Sequence, residues 1–236
     1  MLAIFKREFK SYFQNVIGWL FVAALLAVYG LYFYVYNLKN GYPYISYDLK
    51  GIGFIMMIAV PILTMRSLSD EKKTKTDQLM LTSPVSVGRI VAGKYLAMSA
   101  VYTIDIALFA LSPLVLSIYG KVALSEAYVA LFGYWLYGLS CIAVGLFISS
   151  ISESVIISAI LTFAALFLSY MMQSITGLIS SSGNLLTKVL NCFDLYTPFE
   201  NFVSGCFSVT SAAYYVTVTL LLCFLTTQSI LSLIHI

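Results

Sequence analysis

The chain has 236 residues, 61% of them hydrophobic and 10% charged, with a formal net charge of +3 and a mean hydropathy of +0.94. A soluble globular domain carries about a quarter charged residues, so a soluble enzyme or binding domain is excluded. The small positive balance is the ordinary inside bias of a membrane protein and points to no nucleic-acid partner.

Residues 1–15 predict an amphipathic helix. On a helical wheel Leu2, Phe5, Phe9, Tyr12 and Phe13 share one face, and Lys6, Arg7, Lys10 and Gln14 share the other. Such a segment lies in the membrane interface, apolar face down, because its basic face is costly in hydrocarbon. It is not a continuous apolar run, so no cleavable signal peptide is expected.

A membrane span takes about 20 mostly apolar residues. Six candidates follow in chain order: Val16–Tyr36, Ile52–Met65, Tyr95–Tyr119, Ala127–Ser149, Ser154–Met172 and Ser211–Ile230. The second is short unless Tyr47–Gly51 extends it, and Pro61 is placed to kink it. The fold class is therefore all-α: a polytopic membrane protein with six transmembrane helices behind an N-terminal interfacial helix, its membrane domain running over residues 16–230.

Charge is concentrated between the second and third spans. Arg66, Asp70, Glu71, Lys72, Lys73, Lys75, Asp77, Arg89 and Lys94 are nine of the 23 charged residues. With the N-terminus inside, nine basic residues fall on the cytoplasmic side and four (Lys39, Lys50, Lys121, Lys188) on the other. Lys and Arg favour the cytoplasmic side, so both termini are expected inside. A charged loop of this kind either presents itself to a soluble partner or is a solvated loop that fixes topology.

The long outer segment, Gln173–Thr210, reads as a surface loop carrying two short helices, Leu185–Phe193 and Thr197–Phe207. A lid over the bundle is the other reading. Thr197 stands as a helix cap before a first-turn Pro198.

Other motifs carry less. Gly88-Arg-Ile-Val-Ala-Gly93-Lys94 matches seven positions of a phosphate-binding loop, but Tyr95 stands where Ser or Thr holds magnesium. Any ATPase is therefore expected on another chain. Of the four Cys, Cys141 and Cys223 fall inside spans, while Cys192 and Cys206 share the outer segment, where a disulfide is conceivable. Asp105 is the one acid well inside a predicted span. It is either a functional carboxylate or a polar lock bonded to a neighbour such as Tyr102 or Thr103. Ser182 offers a nucleophile without a readable base, so an intramembrane hydrolase is set aside. Leu231–Ile236 can be encoded by DNA resembling the mosaic end of sequencing adapters. That stretch, residues 231–236, is read as a non-native tail.

The segment Arg66-Ser-Leu-Ser-Asp70-Glu71-Lys72-Lys-Thr-Lys-Thr76-Asp-Gln-Leu79-Met-Leu-Thr-Ser-Pro84-Val-Ser86 resembles the signature of ABC type-2 exporter permeases. Ile90-Val-Ala-Gly93-Lys94-Tyr95 is similar to that family's entry to its third span. A second likeness lies at Thr197-Pro198-Phe-Glu200-Asn-Phe202-Val-Ser-Gly205, especially to gliding-motility-like and copper-processing-like members. Lys75 stands where such proteins often have Gly.

The resemblance implies a multi-pass permease of a bacterial cell membrane. It implies an exporter subunit that is not itself an enzyme, paired with a second copy or a related permease and docked to an ABC ATPase subunit. ATP and magnesium would sit on that ATPase, with no cofactor or metal bound by this chain. Arg66, Asp70, Glu71, Lys72, Thr76, Leu79 and Pro84 are the implied ATPase contacts, with Thr74–Leu81 helical and Ser83-Pro84 starting the next helix. Pro198, Glu200, Phe202 and Gly205 form the outer-surface motif. Membrane lipid is the remaining partner. The rival reading is a proton-coupled secondary transporter using Asp105. The substrate is not legible, since abundant Tyr and Phe suit an amphipathic cargo and equally fill membrane helices.

Overall fold

The computed structural model describes residues 1–75, 85–179 and 193–232. Every element among them is helical. Helix α1 (Leu2–Gln14) ends at Asn15, whose extended backbone turns the chain into α2 (Val16–Phe33). The corner is tight: a Cβ on Gly18 would lie 2.6 Å from the Tyr12 carbonyl oxygen. A π-helical turn, Tyr34–Lys39, carries the first span to Lys39.

The second span is broken. Helices α3 (Ile45–Gly53) and α4 (Met56–Thr64) meet at a 57° bend. The bend falls at Phe54–Ile55, so the expected kink at Pro61 is corrected: Pro61 lies inside α4. A short α5 (Ser69–Lys73) follows. The remaining elements are α6 (Val87–Phe109), α7 (Ser112–Tyr119), α8 (Leu124–Ile151), α9 (Val155–Ile179), α10 (Thr197–Val203) and α11 (Val209–Ser232). Among the described residues five helices are long and apolar enough to cross a membrane, six counting the bent pair.

Helix α8 is the hub, with α3, α4, α6, α9, α10 and α11 packed around it. Inside a bilayer, lipid is as apolar as any side chain, so helices associate through close packing that small residues permit. Helix α8 supplies them. Gly138 faces the Tyr102 ring and Gly145 faces Thr64, both so closely that a Cβ would overlap its neighbour. The Tyr102 hydroxyl donates to the Tyr134 carbonyl at 2.7 Å, so the ring is buried with its polar tip satisfied. Aromatic rings fill the rest: Tyr137 stacks on Phe199 at 5.7 Å, and Tyr29 on Phe109 at 4.1 Å.

On helix α1 Phe5, Phe9, Tyr12 and Phe13 are half-buried, whereas Lys6, Arg7, Lys10 and Gln14 are exposed. Phe5, Phe9 and Phe13 form a ring ladder that ends on Trp19. Tyr12, on that same face, donates to the Leu63 carbonyl. Helix α1 packs along α6 and α2, with Ile4 seated over Gly93, where a Cβ would lie 3.0 Å from it.

Candidate functional site

At the end of the bundle where α1, α5, α6 and α8 converge, one lysine is buried. Lys94, in the second turn of α6, is 1% exposed. Its Nζ lies 2.7 Å from Glu71 Oε1 and donates to the Ser67 carbonyl at 2.8 Å. Glu8 Oε1 stands 3.5 Å away and accepts from Arg7 at 2.7 Å. A buried cation survives only when paired and hydrogen-bonded, and here two acids on two other elements do this. The hydrogen bond to Glu8 is the main influence holding the Arg7 guanidinium above its ordinary value.

Helix α5 is pinned from the other side. Ser149, near the end of α8, accepts from the backbone N–H groups of Leu68 and Ser69 at 3.1 and 3.2 Å. Those donors begin a helix and would otherwise lack partners. Lys72 donates to the Ser150 carbonyl, a cation placed at the negative end of α8. A polar cavity of about 710 Å³ lies between α1 and this segment, lined by Arg7, Glu8, Arg66, Asp70, Glu71 and Thr74 among others. Arg66, Asp70, Lys73 and Lys75 stay exposed, as do Lys6 and Lys10 on α1.

The predicted contact residues therefore separate into two groups. Arg66 and Asp70 face outward, whereas Glu71 and Lys72 turn inward as ties. Thr76, Leu79 and Pro84 lie outside the described residues, as does most of the expected helix Thr74–Leu81. Its described part is corrected: α5 ends at Lys73 and Thr74 is a turn. Lys75 has a φ of 55°, the left-handed region that favours glycine. The next described helix starts at Val87, after Ser86; the expected start at Ser83-Pro84 lies outside the described residues.

Sequence reading missed Glu8, Ser149 and Ser150, and read Lys94 as part of the charged segment and of the entry to the third span without an acid partner. A signal existed. Lys94 sits in an apolar helical stretch and needed an acid, and Glu8 is the only acid in a basic N-terminal helix. Gly88–Lys94 lies within continuous helix α6, not in a strand–loop–helix setting.

Asp105 is fully buried, and neither carboxylate oxygen has a hydrogen-bond partner among the described residues. The expected locks are engaged elsewhere: Tyr102 with Tyr134, and Thr103 with the Ser99 carbonyl at 2.7 Å. A second buried acid, Asp48, accepts from Asn37; sequence reading had placed it in an optional extension of the span.

At the other end of α8 the outer motif is built inward. Asp194, not Thr197, caps α10, accepting from the N–H groups of Tyr196 and Thr197 at 3.0 and 2.9 Å. Pro198 occupies the first turn. Phe199 and Phe202 are fully buried, Phe202 against Gly133 of α8. Glu200 pairs with Lys50 at 3.1 Å. Gly205 ends the segment at φ +79°, against Glu126. The surface-loop reading is corrected for this stretch: Leu195, Phe199 and Phe202 carry their side chains into the bundle, while Phe193 and Phe207 stay exposed. Leu185–Asn191 and Cys192 lie outside the described residues, so the possible Cys192–Cys206 pair does too; Cys206 is exposed.

Glu126 and Ser149 are 23 residues apart on α8 (149 − 126). At a rise of about 1.5 Å each, that is about 34 Å, close to the ~30 Å hydrocarbon core. The Lys94 cluster and the α10 motif thus stand at opposite ends of a membrane-length helix.

None of the curated proteins compared matches the chain. Residues 26–234 match the sequence profile of a family described as ABC-2 family transporter protein. That match covers most of the chain and joins the helices around α8 to the charged segment after α4, so this multi-pass membrane protein belongs to the ABC-2 transporter family.

Proposed function

We propose that the chain is the transmembrane permease subunit of an ATP-binding-cassette exporter. A separate ATPase subunit hydrolyses ATP with magnesium, and this chain supplies the path across a bacterial cell membrane, paired with a second copy or a related permease. Both termini and the Lys94 cluster face the cytoplasm, and α1 lies along the membrane interface as well as along α6. The observation that carries this reading is the ion cluster itself. Glu8 on α1, Glu71 on α5 and Lys94 on α6 meet within 3.5 Å, so the two short helices are tied to the spans. A rigid platform of that kind transmits a push from a docked ATPase into α6 and α8; a loosely solvated loop does not.

In this reading Arg66, Asp70, Lys73 and the basic face of α1 touch the ATPase, while Glu71 and Lys72 hold the platform together. The rival secondary-transporter reading rests on Asp105 alone and is not favoured by the family. Co-purification tests the assignment. Asp70→Arg is expected to lower ATPase retention by about tenfold or more, as reversing one charge at a close interface pair costs several kcal/mol, while the permease melts normally. Full retention by Asp70→Arg together with Lys10→Glu would show that the platform is not the docking surface.

A further inference from the structure

A groove on the flank of the bundle has no role in the reading above. It runs between the start of α1 and one stripe of α6, with a volume of about 1100 Å³. Arg89, Leu96, Ala100, Thr103 and Ala107 recur at helical spacing along its floor. Ala100, Thr103 and Ala107 are small, which makes the stripe a trough rather than a ridge. Trp135 of α8 walls its far end and also lines a second hollow of about 360 Å³ beyond.

The trough offers an apolar surface. Ser99 donates to the Tyr95 carbonyl at 2.8 Å and Thr103 to the Ser99 carbonyl at 2.7 Å. Trp135 Nε1 donates to Thr103 Oγ1 at 3.1 Å. At the mouth the character reverses. Arg89 is exposed, stands in the first turn of α6 and makes no ion pair among the described residues. The positive end of a helix and a guanidinium together favour an anion there.

Dimensions select the occupant. Arg89 and Thr103 are 14 residues apart, about 21 Å at 1.5 Å per residue. Half of a ~40–45 Å bilayer with its headgroups is about 20–22 Å, so the stretch from Arg89 to Thr103, where Trp135 stands, is one leaflet long, with Ala107 beyond it.

We propose that this groove binds an anionic glycerophospholipid of the leaflet on the α1 side, with its phosphate at Arg89 and an acyl chain laid along Ala100 and Thr103 to Trp135. The lipid would seat α1 against α6 on the side away from Lys94. The inference rests on membrane placement and not on ATPase docking.

The test uses the chain's own fluorescence. Trp19 and Trp135 are its two tryptophans, so in a Trp19→Phe background only Trp135 reports. The reconstituted protein is titrated in phosphatidylcholine vesicles with phosphatidylglycerol brominated in mid-chain, and separately with brominated phosphatidylcholine. Brominated phosphatidylglycerol is expected to reach half-maximal quenching at about fivefold lower mole fraction, the preference one basic residue gives for an anionic lipid. Arg89→Gln should abolish that preference, and Ala100→Leu, which fills the trough, should weaken quenching by both lipids. Equal quenching by the two lipids in the Arg89 protein would reduce the groove to ordinary lipid contact and overturn the proposal. Absence of quenching by either would show that protein, such as a second copy, covers it.

Discussion

Replacing Glu71 by leucine is expected to destabilise the protein by about 3 kcal/mol, the lower end of what breaking a buried ion pair costs. The change leaves Lys94 buried at 1% exposure with its 2.7 Å partner gone. Glu8, 3.5 Å away, and the Ser67 carbonyl remain, which keeps the loss from being larger. The damage should be local to the platform: α1 becomes sensitive to limited proteolysis before the spans melt. Adding Lys94→Met removes the stranded charge and should recover most of the stability, because apolar replacement of a whole buried pair is often neutral. Glu8 keeps Arg7 as its partner in that double variant. Thermal melting in detergent with N-terminal proteolysis reads both effects. A double variant no better than Glu71→Leu alone would mean that the lysine is not what the acid holds.

A single methyl group should do comparable harm in the middle of the bundle. Gly138→Ala sets a Cβ into the ring of Tyr102, which is fully buried. The ring has to move, and its hydroxyl then loses the 2.7 Å bond to the Tyr134 carbonyl. Overpacking costs about 1–3 kcal/mol and an unmet buried hydroxyl about 1–3 more. The expected loss is therefore about 2–6 kcal/mol, read as a drop in melting temperature and in folded yield. Tyr102→Leu in the same background removes both the clash and the orphaned hydroxyl, and should restore folding in large part. Unchanged melting of Gly138→Ala would contradict the close approach of α6 and α8.

The spans were legible because about 20 apolar residues in a row have few other fates. The break in the second span was legible only as a shortage of length. Its position at Phe54–Ile55 depends on packing against α8 and α9, which no local residue announces, and Pro61 drew attention to the wrong place. The charged segment was legible as a cluster, yet its inner and outer members were not separable. Glu71 and Asp70 are adjacent in sequence and differ only in which way one short helix turns them, and that rotation is fixed by Ser149 and Lys94, 78 and 23 residues away. The α10 motif looked like surface because its polar residues are conspicuous. Phe199 and Phe202, which carry it into the core, read equally well as either. Asp105 stood out correctly as an odd residue, and the structure removes its expected hydrogen-bond partners without supplying others among the described residues.

The proposed function requires the ATPase to dock on the end of the bundle bearing Lys94 and not on the end bearing α10. A photo-crosslinking amino acid placed at Asp70 or, separately, at Glu200 tests it directly. Asp70 is exposed beside the ion-paired Glu71, Glu200 is itself paired with Lys50, and the two stand at opposite ends of α8. In membranes carrying the permease with its ATPase, irradiation should join the ATPase to position 70 and leave position 200 without an ATPase adduct. An ATPase adduct at position 200, or none at position 70 in a complex that still co-purifies, would contradict the account.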